Sequence, residues 1–508
     1  MGGSRDSGLG IRGAVAGACL VGTLILALTP PAVRPVRAAG WRAQAAGRAA
    51  QDVTEGATRT FTRTLTPADY ERLFEQPFDV PAGTRRIEVS YVVSGAAERT
   101  VVDLGLRGPS GLRGWSGGSR TRIWVSALGA TPGYLPGPIE PGAWAVVLGV
   151  PNIRAGRTDT VEVTVRLFAT DLPEGAAIAG REAGWFVGDL HTHSGHSDGR
   201  ARSRRGTAVG TPPHRVFDAA AAAGLDFVAL TDHNTTSHWL DVDRLQVHYD
   251  DLLLLRGREL TTYRGHATTI GERTTHEFRL AAPDASVAPL LAPIARAGAF
   301  VSINHPALPD GEACMGCGWN LTGRDVMASV HGVEVVNGET VGGPLSGWSF
   351  WARLLTAGYR LTAVAGSDEH TVDDDADRRI GRPATVVWAQ ALSEAAIVDG
   401  LKRGRVYVRV RGPEGPSLEF HAEHAAGRVE MGGTVSSGGV VRLVAALAGA
   451  EGQTLQWIVN GAVVAEAAVS ASVMTLDQPA VAGRWFSLVV RDAVGPTLMS
   501  SAIYVAPN

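Results

Sequence analysis

At 508 residues, 45% hydrophobic and 19% charged, the chain has the composition of a folded protein with two to four domains, which excludes wholesale disorder. A formal net charge of −3 supplies no global basic field, so no specific nucleic-acid partner is expected. Basic residues are almost all arginine; Lys402 is the only lysine.

Residues 1–39 read as an export signal. Arg5 and Arg12 precede an apolar stretch, Ala14 to Leu28, and Val36-Arg37-Ala38 offers a small-residue cleavage site. The apolar run is shorter than the ~20 residues of a spanning helix. The expected location is periplasmic or extracellular, with membrane attachment only if the segment stays uncleaved. Residues 40–60, rich in Ala, Arg and Gln, read as a linker. Across 61–180, short alternating runs such as Arg86-Ile-Glu-Val-Ser-Tyr-Val-Val predict a β-sandwich.

From 183 to 410 the pattern changes to strands alternating with helices. Helical stretches are predicted over 216–223, 287–297, 348–357 and 393–403, each followed by a glycine: Gly224, Gly298, Gly358 and Gly404. Such repetition predicts an α/β domain with a parallel sheet or barrel. From 411 to 508 alternation returns, predicting a second, smaller β-sandwich. His421 and His424 lie there and read as surface residues. Two cysteines follow the signal, Cys314 and Cys317. In an oxidising compartment their C-x-x-C spacing reads as a local disulfide.

The histidines are distributed unevenly. None of the 14 precedes His191, and twelve fall between His191 and His370. His191 and His193 are two apart at the end of an apolar run, so they project to one side, which makes half a metal site. Asp198 lies just beyond. Further apolar runs end in Asp232-His233, Glu259, Asn304-His305 and Asp368-Glu369-His370, and His266 opens another. Ligands at the ends of successive strands are how a βα barrel builds an active site.

Asp189-Leu-His-Thr-His-Ser, Ser197-Asp-Gly, Thr231-Asp-His, His305-Pro and Gly366-Ser-Asp-x-His together resemble the motifs of the PHP (polymerase and histidinol phosphatase) superfamily. Arg258-Glu-Leu-Thr-Thr, Gly265-His266, Val333-Glu-Val-Val-Asn-Gly and Gly404-Arg-Val-Tyr-Val look more narrowly like the CehA/McbA-type metallohydrolases. The resemblance implies a distorted (β/α)7 barrel over 183–410, flanked by the two β-sandwiches and holding two or three divalent ions (Zn, Mn or Fe). Carried over, the ligands are His191, His193, Asp198, His233, Glu259, His266, His305, Asp368 and His370, with Glu259 as the bridging carboxylate. Asp189 would orient a ligand imidazole, and Asp232 would do the same or contact the leaving group. His196 reads as an extra ligand, a supporting partner or a solvated loop residue. Asp368, His370 and His233 are the candidate proton-transfer groups.

The superfamily's usual chemistry is hydrolysis of a small-molecule phosphoester, with a water activated by the metals attacking phosphorus. Arg258 and Arg264 are expected to hold that substrate, with Arg273, Arg378 and Arg379 as further candidates. The alternative is carboxyl-ester or carbamate hydrolysis, for which Trp239, Tyr263, Trp319, Trp348, Phe350 and Trp351 would line an aromatic pocket. A third reading is a non-catalytic surface binding protein that uses the barrel as scaffold.

Overall fold

The computed structural model describes residues 42–43, 57–282, 284–312, 314, 316–338, 346–372, 379–425 and 427–507. The expected export signal lies outside these residues, as do most of the linker and Arg378. The architecture is mostly β-strand, in several sheets, with few helices. Among the described residues no helix is long and apolar enough to cross a membrane.

Residues 57–168 form two antiparallel sheets around one core. Ala57–Leu65, Asp159–Phe168, Arg86–Val93 and Arg122–Ser126 belong to one sheet. Leu73–Val80, Gly142–Asn152, Val101–Gly108 and Gly111–Gly117 make the other. In Asp159–Phe168 every second residue is buried, from Asp159 through Val161, Val163 and Val165 to Leu167. The four apolar ones pack with Leu104, Leu106 and Trp144 of the facing sheet.

The central sheet is laid out differently. Ala177–Thr192, Phe227–Leu230 and Leu253–Thr262 run parallel. Phe300–Ile303, Gly332–Asn337 and Thr362–Gly366 are also mutually parallel. Gly265–Ile270 lies between these sets, antiparallel to both neighbours. All four residues of Phe227–Leu230 are buried, as befits a strand covered on both faces. Helices at Pro213–Ala222, Ala288–Arg296, Trp348–Thr356 and Glu394–Arg403 occupy the predicted stretches. The last ends at Gly404, whose φ of 73° only glycine adopts freely.

Two features depart from the expected pattern. Strand–helix alternation fails between 253 and 270, because Tyr263-Arg264 alone join two strands. Two residues permit a hairpin but not a crossover helix. The C-terminal strands also continue the central sheet. Val406–Arg409 pairs with Ala384–Ser393 on one side and Pro496–Ser500 on the other. Only Ser417–His424, Gly427–Glu430, Val440–Ala448 and Val473–Pro479 make a separate four-stranded sheet. His421 is buried there, not on the surface as expected, because it falls on a run of three buried positions, Phe420 to Ala422.

One half-buried histidine away from the ligand set predicts a pH effect. The backbone N–H of Val301 donates to Nδ1 of His331 at 3.1 Å, so this nitrogen must stay unprotonated. Burial, helped by the charge of Lys402, pushes His331 down to about 4. Between the unfolded value near 6.5 and about 4, the unfolded chain takes a proton that the fold refuses. Stability contributed by His331 is therefore lost as pH falls through that window. Urea unfolding of His331→Gln should show a flatter pH dependence there; an unchanged profile would contradict this.

Candidate metal centre

The parallel strands deliver their C-terminal residues to one place. Asp368 N donates to His191 O at 2.8 Å, and His193 N donates to Glu369 O at 2.9 Å, so two ligand-bearing segments are stitched together. Asn234, His305 and Asp368 adopt positive φ of 53°, 24° and 54°. Such conformations are uncommon outside glycine and collect where a fold aims functional groups. Close approach is enforced by Gly366, where an added Cβ would lie 2.3 Å from Cβ of His191. Gly366→Ala is expected to cost about 1–3 kcal/mol by overpacking and to lower metal content; a folded variant with full metal content would contradict this.

All nine predicted donors fall into four overlapping groups. These are His193, Asp198, His233 and His370; His191, His193 and Glu259; His191, His305 and Asp368; and His266, His305 and Cys317. In each group the ligand atoms lie within 4.8 Å of one another. Glu259 faces both ways. Its Oε2 lies 3.4 Å from His191 Nε2, 3.6 Å from His193 Nε2 and 2.8 Å from His233 Nδ1. Its Oε1 lies 3.3 Å from both His266 Nδ1 and His305 Nε2. Asp368 Oδ1 sits 3.3 Å from His191 Nε2 and 3.2 Å from His193 Nε2. Asp198 Oδ1 lies 3.3 Å from His370 Nε2 and 3.6 Å from His233 Nε2.

Burial grades across the cluster. The side chains of Glu259, His191 and His193 are at most 2% exposed, whereas Asp198, His370 and His233 are 51%, 34% and 27% exposed. The second trio is the solvent mouth. Deep in the site, Nε2 of His191 and Nδ1 of both His193 and His305 are buried without a hydrogen-bond partner in the protein. Buried nitrogens are rarely left so. Converging imidazole and carboxylate lone pairs fit divalent cations.

Without ions, charge inside the cluster is divided between its carboxylates and its imidazoles. Burial would raise Glu259 and Asp368, but the facing imidazoles hold both well below the usual carboxylate range. Burial pushes His193 down to about 4, leaving it neutral, as a metal ligand must be. Burial opposes a charged His370, but its hydrogen bond to Asp198 and the charge of Asp368 outweigh that and raise it to about 9.

Supporting residues hold this arrangement. Asp232 accepts from the N–H and hydroxyl of both Ser194 and Ser197, which fixes the loop carrying Asp198. Asp189 accepts from the backbone N–H of His191, Ser367 and Gly381. It clamps backbone and orients no imidazole. Imidazole orientation falls instead to Glu334, which pairs with His191 Nδ1 at 3.0 Å and accepts from His305 N at 2.8 Å. Asn304 Nδ2 donates to Glu259 Oε1 at 2.8 Å. Glu334→Gln should weaken metal binding about 10–100-fold with little loss of fold; unchanged affinity in a metal-competition titration would remove it from this role.

Some expected site residues lie elsewhere. Arg258 does not reach the cluster, because adjacent strand residues point to opposite faces and Glu259 faces the imidazoles. The Arg258 guanidinium is fully buried against Glu272 at 3.0 Å, so it is not available to substrate. Arg264 lies in the hairpin turn after Thr262, partly exposed. His196 turns outward to Ser237 Oγ at 2.7 Å and Asp241 Oδ2 at 3.0 Å. It belongs to none of the four groups. Trp239, Trp319, Phe350 and Trp351 are buried.

The class this geometry defines is a protein with a candidate multinuclear metal centre at strand ends. No family model and no curated protein matches the chain. Among solved structures, one similar chain is a candidate metal-dependent phosphoesterase from Bifidobacterium adolescentis. It is 18% identical, with 42% of this chain and 94% of that chain covered and a TM-score of 0.28.

Proposed function

We propose that the protein is an exported, metal-dependent hydrolase of the PHP superfamily that acts on phosphoesters. The observation that carries this reading is the convergence of nine imidazole and carboxylate side chains, Glu259 among them, in overlapping groups, with buried nitrogens that make no hydrogen bond within the protein. The seven strands from Ala177–Thr192 to Thr362–Gly366 are read as a distorted (β/α)7 barrel, flanked by β-rich domains at 61–180 and 411–508. Support for closure comes from the bonds joining Asp368 to His191 and Glu369 to His193.

These residues would hold two or three divalent ions (zinc, manganese or iron), whose chemistry when bound would be Lewis acidity and a lowered pKa for bound water. The protein's own groups do the rest. Glu259 spans the inner donors. Asp368 faces His191 and His193, placed to accept the proton of the attacking water. His370 and His233, at the solvent mouth, are placed to protonate the leaving group.

Phosphoester is favoured over carboxyl ester or carbamate by the exposed arginines of a hairpin that starts beside His370. Arg200 N donates to His370 O at 2.6 Å and begins a hairpin whose Arg200, Arg204 and Arg205 are exposed. These guanidiniums suit an anionic substrate. Most aromatic side chains named for an aryl pocket are core instead. The test is metal analysis of the mature protein with a panel of phosphomonoesters, phosphodiesters, carboxyl esters and aryl carbamates. Turnover confined to the last two would overturn phosphoester specificity. Bound metal with no turnover on any would return the scaffold reading.

A further inference from the structure

The inner end of the cluster contains a donor that the nine-ligand pattern leaves out. Cys317 is fully buried, and its sulfur lies within 4.8 Å of a ligand nitrogen of His266 and one of His305. His305 is 4% exposed, and its Nδ1 has no hydrogen-bond partner in the protein. Cys317 is joined to Cys314 as a disulfide. The loop carrying both is tied to its surroundings: Trp319 N donates to Pro306 O, and Gly316 N donates to Asp310 Oδ1 at 2.6 Å. The Trp319 ring packs over Gly265, where an added Cβ would meet it at 2.2 Å. Cys317 is thereby anchored between the two segments that carry His266 and His305. A local staple needs no such address, since two cysteines three residues apart can pair anywhere.

We infer that Cys317 is a redox-gated ligand for the ion at His266 and His305: reduction of the Cys314–Cys317 disulfide adds a thiolate to that ion, and oxidation withdraws it. This rests on the metal-centre reading above. The step balances with a dithiol as reductant. The dithiol gives two electrons and two protons, its own sulfurs pair, and the Cys314–Cys317 bond becomes two thiols. Cys317 then releases its proton on binding the ion, while Cys314 keeps its own. Thiolate is a softer donor than imidazole or carboxylate, so the reduced site should favour zinc over manganese more strongly than the oxidised one.

The test uses cobalt(II) loaded into the metal-stripped, otherwise intact protein and read by absorption spectroscopy. Ligand-field bands in the visible report cobalt on imidazole and carboxylate. A thiolate-to-cobalt charge-transfer band in the near ultraviolet reports sulfur. Oxidised wild type should show the first without the second, and a dithiol should bring the second in. Cys314→Ser should show the charge-transfer band without any reductant. Cys317→Ser should lack it in both redox states while keeping its ligand-field bands. Bound cobalt with no charge-transfer band in reduced wild type and in Cys314→Ser overturns the proposal and leaves the metal centre standing. A band that persists in Cys317→Ser also overturns it. Failure of every form to take up cobalt overturns the metal-centre reading and this proposal together.

Discussion

Glu259→Gln should remove at least one ion from the protein and lower turnover by about 10³-fold or more, well beyond the 10–100-fold cost of losing a supporting partner. The substitution keeps the side chain's size and removes its charge. The two carboxylate oxygens face different imidazoles, His191, His193 and His233 on one side and His266 and His305 on the other. A carboxamide offers one oxygen acceptor and an NH2 group with two N–H donors, and that NH2 group would confront neutral imidazole or cation. Elemental analysis of the purified variant, beside wild type prepared identically, reads the ion count. Full metal content in Glu259→Gln would show that Glu259 bridges nothing. A Gly366→Ala comparison separates loss of charge from loss of shape, because that change crowds the ligand His191 without replacing any ligand.

Chelation should destabilise the fold strongly. An ion that binds only the folded state, present at about a thousand times its Kd, contributes about 4 kcal/mol. For a domain of this size that corresponds to a melting shift on the order of 10 °C. Without ions, Glu259 and Asp368 remain buried charges facing imidazoles, and their charge favours a proton on His191. A scan with and without chelator, followed by readdition of zinc or manganese, measures the shift. If chelation strips all metal and the melting point does not move, the cluster contributes nothing to the fold and binds ions only loosely.

The site was largely legible because its donors end apolar runs, where side-chain direction follows from strand geometry. His191 and His193 show this: a spacing of two predicted one shared side, and their ring centroids lie 5.1 Å apart. The same rule, applied to Arg258 and Glu259, would have placed the arginine on the opposite face. Glu334 was missed as the group orienting His191, although an acidic residue inside Gly332–Asn337, buried throughout, was itself a signal. Asn304 was passed over as a neighbour of His305. The hairpin at 262–265 was legible in principle, since two residues cannot hold a helix. The continuity of the C-terminal strands with the central sheet was not, because pairing between Val406–Arg409 and Pro496–Ser500 leaves no periodic trace.

That continuity sets an order of events. The strand Thr362–Gly366, which leads to Asp368, is braced by the last strands of the sheet. Ser501 Oγ accepts from Ala363 N at 3.1 Å, and Tyr504 Oη accepts from Leu361 N at 3.2 Å. A chain still emerging from its ribosome, with all nine donors already made, lacks these braces until residues 501–504 arrive. The centre therefore matures late, and a truncation that ends near residue 500 should behave as a metal-binding mutant although it removes no ligand.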